Sequence, residues 1–228
     1  MSEIKISKTK SLIAILIPIV ELLIGDLITP HIAGQWGKVL FTVVLFFVGF
    51  CVAIYLYYDV LKKDGQIFKQ HLWRNLLLAV LGVLFSYIIL ALVRQGLSLL
   101  QVSSPDPETS LLSIQTASLG LVGSLTALMA PFSEEIIFRH VLFYQWRNRG
   151  IVTWLMFILS SVLFGLAHWN NFDGQLIQMI PYMFIGAWFA LIYYFSKNIW
   201  QNIMTHFFFD CLQFLAAIIV LIVSFFQG

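Results

Sequence analysis

The chain has 228 residues, 60% of them apolar and only 11% charged, against about a quarter charged in a soluble domain. That balance excludes a soluble globular enzyme, and a net charge of +2 gives no basis for binding nucleic acid. It predicts an all-α, polytopic transmembrane bundle: a single membrane domain over residues 1–228 with the lipid bilayer as its surroundings.

Apolar runs of about twenty residues cross a bilayer as helices. Seven follow one another, roughly Leu12–Ile28, Val39–Val60, Leu76–Val93, Leu112–Pro131, Ile151–His168, Leu176–Phe195 and Ile199–Phe226. The last is long enough to be kinked, or split into an eighth. The first lacks a small-residue cleavage site and carries Glu21 and Asp26, so it reads as a retained span rather than a signal peptide. Lys5, Lys8, Lys10, Lys62, Lys63, Lys69, Arg74, Arg147, Arg149 and Lys197 all fall on one side of such a bundle. Lys38, Arg94 and the loop "VSSPDPETS" fall on the other. The bias of Lys and Arg toward cytoplasmic loops then places the N-terminus inside. Cys51 and Cys211 lie within apolar runs and read as small core residues, not as a disulfide.

Ionisable residues inside spans are costly and mark function by default. The candidates are Glu21, Asp26, Glu134, Glu135, Arg139, His140, His168, His206 and Asp210. Each has a plainer reading. Glu21 and Asp26 face water at the outer end of the first span. Glu135 and Arg139 are four apart, as in a helical ion pair, and Ser133 caps a helix that starts at Glu134. His168 ends a helix, and His206 with Asp210 forms a polar pair.

Taken together they point elsewhere. If the fourth and fifth helices form a hairpin turning at Arg149–Gly150, Glu134 and His168 lie at about the same distance from the turn, some 24–27 Å at 1.5 Å per residue. His206 lies about 13 Å beyond Lys197. This predicts one polar site from three helices, on the cytoplasmic side of the midplane and open to water. "WNNFDG" would climb about 20 Å as an extended strand to the next span. A carboxylate beside an imidazole can take a proton from water, and a second imidazole with an amide or carboxylic acid can donate to an oxyanion. That set of groups hydrolyses amides. No G-x-S-x-G nucleophile stands in the sequence, and zinc stays open as a rival although HExxH is absent.

"EEIIFR" (Glu134, Glu135, Arg139), "FGLAH" (Phe164 to His168) and "HFFFD" (His206 to Asp210) resemble, in order and spacing, the three motifs of the CPBP family, the CAAX protease and bacteriocin-processing enzymes also called the Abi family. The resemblance covers residues 112–226, the expected catalytic core. It implies a bacterial intramembrane endopeptidase in the plasma membrane, in which Glu134 and His168 activate water. His206 and Asp210 form the oxyanion side, Glu135 is a supporting acid, and Arg139 and Phe164 give structural support. It implies no cofactor; if a metal is used, zinc held by Glu134, His168 and His206 is the alternative. Asp210 departs from the Asn of eukaryotic relatives, and an ionised Asp cannot donate to an oxyanion. The implied partner is a peptide or membrane-protein substrate, in bacteriocin or peptide processing or self-immunity. Nothing in the sequence fixes an oligomeric state. A non-enzymatic immunity protein of the same fold and a proton-relaying transporter are the competing readings.

Overall fold

The computed structural model describes residues 7–100, 114–172 and 174–227; the start of the expected fourth span, Lys5 and the loop "VSSPDPETS" lie outside them. Among the described residues every regular element is helical. The long helices are α1 (Lys8–Ile28), α2 (Gln35–Gln70), α3 (Leu72–Leu99), α7 (Leu176–Ser196) and α8 (Ile199–Gln227). The expected fourth span is compound: α4 (Ile114–Gly123), α5 (Leu125–Glu134) and a π-helical turn, Glu135–Val141. α6 (Ile151–Leu166) is shorter than the rest. Among the described residues six segments have the length and composition to cross a membrane, and α6 makes a shorter seventh apolar helix. The all-α polytopic bundle expected from composition is what the chain forms. The last run is not split, since α8 is one helix of 29 residues.

Polarity is distributed as a bilayer demands. Leu12, Leu23, Leu77, Leu84, Leu215 and Ile219 face outward, while Ser86, Glu135, Arg139, Ser160, Asn202 and Thr205 are fully buried. The expectation that both cysteines are core residues fails: Cys51 is exposed on α2 and Cys211 is half-buried, and both are free.

α8 is the central element, packed against α2, α3, α4, α5 and α7. Its start is fixed by polar contacts from α2 and α3. Asp64 Oδ2 accepts from the backbone N–H of Ile199 at 3.0 Å, and the Asp64 carbonyl accepts from Asn198 Nδ2 at 2.8 Å. A carboxylate at a helix N-terminus both satisfies an orphan N–H and faces the positive end of the helix dipole. Trp200 Nε1 donates to the Leu61 carbonyl at 2.7 Å, and Gln201 Nε2 to the Asn75 carbonyl at 3.0 Å. The α6–α7 contact is close because two glycines permit it. A Cβ on Gly186 would lie 2.9 Å from the Ser161 carbonyl oxygen, and one on Gly165 would lie 3.0 Å from that of Met179. These contacts fix two of the three helices that bear the motifs.

Candidate active site

Ser133 does not cap a new helix. Its hydroxyl donates back to the Ala130 carbonyl at 3.2 Å, and the chain runs from α5 straight into the π turn. There the Leu142 N–H reaches the carbonyl of Ile137, five residues back, at 3.0 Å. Wide turns of this kind carry one extra residue and recur at functional sites. Adjacent helical residues point about 100° apart, so the two glutamates part company. Glu134 faces a cavity and keeps 22% of its side chain exposed, whereas Glu135 is wholly buried.

Glu135 is the hub of a buried polar network. Its Oε1 meets His206 Nδ1 at 2.7 Å, and its Oε2 lies 3.4 Å from Arg139 Nε. The same Oε2 accepts from the side-chain amide of Asn202 on α8. The Arg139 guanidinium lies 3.9 Å over the Phe164 ring and within 5.6 Å of Phe189. An arginine can stack on aromatic faces and still pair with a carboxylate. Arg139 pairs with Glu135 alone among the described residues, not with both glutamates.

The other side of His206 faces the cavity. Its Nε2 lies 3.9 Å from Glu134 Oε2 and 3.4 Å from Asp210 Oδ2. Glu134, His168, His206 and Asp210 together line a chamber of about 250 Å³, with Phe164, Tyr182 and Phe209 among its walls. His168 Nδ1 donates to the Phe164 carbonyl at 2.9 Å, which fixes the tautomer and leaves Nε2 as the neutral ring's free lone pair. Phe164 is thus shared: its ring carries Arg139 and its carbonyl holds His168.

All three motifs therefore meet at one place. Glu135 and Arg139 sit behind His206 rather than in the chamber. His140 is elsewhere, hydrogen-bonded through Nδ1 to Tyr193 Oη at 2.7 Å. Asp26 is exposed, as expected, and bonded to Asn170, but Glu21 is half-buried. The site does not lie toward the Arg147–Arg149 turn, the cytoplasmic side on which it was expected. From Val141 to Ile151 the chain is a short 3₁₀ turn and irregular backbone, not a straight helix, so residue counts from Gly150 do not measure height. Residues Trp169–Phe172 form a 3₁₀ turn rather than an extended climb. Beside the chamber lies a second cavity of about 600 Å³, which shares Glu134, Phe46, Thr126 and Asn171 with it and runs to Asp26, Thr29, Pro30 and Lys38. The site therefore faces the α1–α2 turn, opposite the Arg147–Arg149 turn.

Asn202 and Asp64 were not among the sequence candidates. Asn202 carried a signal: it stands four residues before His206 and eight before Asp210, on one helical face. As the side chains are placed, no three His, Cys, Asp or Glu among the described residues stand together as metal ligands, although Glu134, His168, His206 and Asp210 line one chamber.

Residues 116–212 match the family model described as "Type II CAAX prenyl endopeptidase Rce1-like". This bears out the resemblance read from the three motifs. The chain is 27% identical over 186 residues to a Bacillus subtilis protein named "Putative membrane peptidase YdiL", covering 77% of this chain and 68% of that one. It is 36% identical over 74 residues to an "Uncharacterized protein" of Mycoplasma capricolum, covering 32% of this chain and 20% of that one. No solved structure matches.

Proposed function

We propose that this chain, Rce1-like over the segment that builds the site, is an intramembrane endopeptidase that cleaves a membrane-associated or leader-peptide substrate with activated water. The observation that carries the reading is the convergence of Glu134, His168, His206 and Asp210 on one chamber. The Glu135–Arg139–Asn202 network behind it braces His206.

Water held between Glu134 and the Nε2 lone pair of His168 gives up a proton to Glu134 while its oxygen bonds to the scissile carbonyl carbon. The carbonyl oxygen gains the negative charge and faces His206. With Nδ1–H directed at Glu135, a doubly protonated His206 presents Nε2–H to that oxyanion. Asp210, 3.4 Å from Nε2, orients this ring, or donates from its protonated form. Glu134 then passes its proton to the leaving amine as the C–N bond breaks. No step is routed through a metal, and the bracing of His206 needs none. The Lys/Arg distribution supports a bacterial plasma-membrane protein with a cytoplasmic N-terminus. Bacteriocin or signalling-peptide processing is the role that the motif resemblance favours.

The test is cleavage of quenched fluorescent peptides by purified protein. Glu134→Gln keeps shape and removes the base, and activity should fall by about 10²–10⁴-fold. Wild-type rates from Glu134→Gln would sink the mechanism, and a folded wild-type protein that cleaves nothing would leave the non-enzymatic immunity reading standing.

A further inference from the structure

The 600 Å³ vestibule next to the chamber is within the size range of a ligand site, and Glu134 stands on its boundary. Any peptide whose scissile bond reaches Glu134 must place the neighbouring residues there or in the chamber. The vestibule's walls are mixed. Pro18, Leu22, Leu45, Phe46 and Phe138 give it an apolar lining, and Glu21 and Asp26 from α1 bring acids to it.

Glu21 is held where it is by design of the neighbouring helix. A Cβ at Gly49 of α2 would collide with the Glu21 carboxyl and lie 2.9 Å from Ile17 Cγ2, so only a glycine lets the acid lie flat between α1 and α2. Among the described residues no hydrogen-bond donor or cation is paired with that carboxyl, and Glu134, another acid, lines the same cavity. Asp26, by contrast, has Asn170 at 3.2 Å. Lys38 lines the same cavity without forming an ion pair with Glu21. A half-buried carboxylate beside a second one, with no cation of its own, gains most from a cation brought in by a ligand.

We propose that the vestibule is the substrate-recognition subsite, and that Glu21 selects a lysine or arginine side chain of the peptide close to the bond that is cut. This rests on the peptidase reading above and adds a charge preference to it. Chain entry is from the α1–α2 turn, and the basic side chain passes the apolar lining with its methylenes against it and its head at Glu21.

The experiment uses full-length protein in detergent and a set of quenched fluorescent peptides with one apolar frame. Lys, Gln or Glu stands one to three residues from the central bond, on either side. In wild type, kcat/KM for the best Lys peptide should exceed that of its Gln counterpart by roughly ten- to a hundredfold, the scale of a charge-assisted contact. Glu21→Gln should bring that ratio toward unity, Glu21→Lys should turn the preference toward Glu, and Lys38→Gln should raise the Lys preference. Equal cleavage of Lys and Gln peptides by wild type, or a ratio unmoved in Glu21→Gln, overturns the proposal and leaves the peptidase reading intact. If wild type cleaves none of them, binding of the labelled Lys and Gln peptides to the same protein separates the two ideas. Lys-selective binding lost in Glu21→Gln keeps the recognition site and removes the peptidase; charge-blind binding removes both.

Discussion

From Asn198 to Asp210 no residue is exposed, and Asn202, Thr205, His206 and Asp210 turn their polar groups into the bundle. From Leu212 to Phe226 the same helix, α8, directs Leu212, Leu215, Ile219, Ile222 and Phe226 outward. The first stretch is tied at its start to α2 and α3 and touches Glu135 across to the π turn; the second has apolar side chains in a lipid-facing position. A hydropathy profile makes the two stretches one span. What separates them is which groups are buried and whether each has a partner, and that is where function is concentrated.

Five substitutions probe this contrast. The largest effect should come from His206→Ala, which removes the ring that Glu135 holds. Its kcat should fall by about 10²–10⁴-fold in the peptide assay, while Ile219→Ala on the outward half should shift stability by no more than about 0.5 kcal/mol and leave kcat alone. Equal losses from both would show that the two halves do not differ in role. Next, Arg139→Ala takes from the buried Glu135 its arginine partner and leaves only His206 and Asn202 to hold the charge, at a cost of up to about 3–5 kcal/mol. Thermal unfolding in detergent should register it as a marked drop in Tm, and a normal Tm would mean that Asn202 and His206 suffice to hold Glu135. A smaller effect is expected from Asp64→Ala, which removes the cap of α8 for about 1 kcal/mol and should lower Tm by a few degrees. An unchanged Tm would say that Asn198, Trp200 and Gln201 fix the helix start without the Asp64 carboxylate. Smallest should be Asp210→Asn. Asn still accepts from His206 and can donate from its NH₂, so activity should stay within a few-fold of wild type, and a strong chelator should do little. Stoichiometric zinc lost in parallel with activity would overturn the metal-free mechanism.

Much of the site could be read from the residues. Glu134, His168, His206 and Asp210 were picked out as charges and imidazoles in apolar runs, and the fold brings their side chains to one chamber. Height was misjudged because a residue count assumes a straight helix, and the stretch from Glu135 to Gly150 passes through a π turn, a 3₁₀ turn and irregular backbone. Glu21 read as a surface acid because its place depends on Gly49, twenty-eight positions later, a tertiary contact with no local signal. Asn202 was overlooked although its spacing to His206 was visible, since a neutral amide does not stand out among charges.

The π turn at Glu135–Val141 has a consequence for how this stretch can vary. It contains one residue more than an ordinary helix would need to cover the same rise. Side chains at its two ends are in register with different neighbours: Glu135 with α8, and His140 with Tyr193 on α7. Dropping or adding a single residue would rotate everything on one side by about 100° and take the carboxylates away from His206. Exchanges of one side chain for another leave that phase intact. Lineages of this sequence should therefore diverge here by substitution while keeping the number of residues between Glu134 and Tyr144 constant.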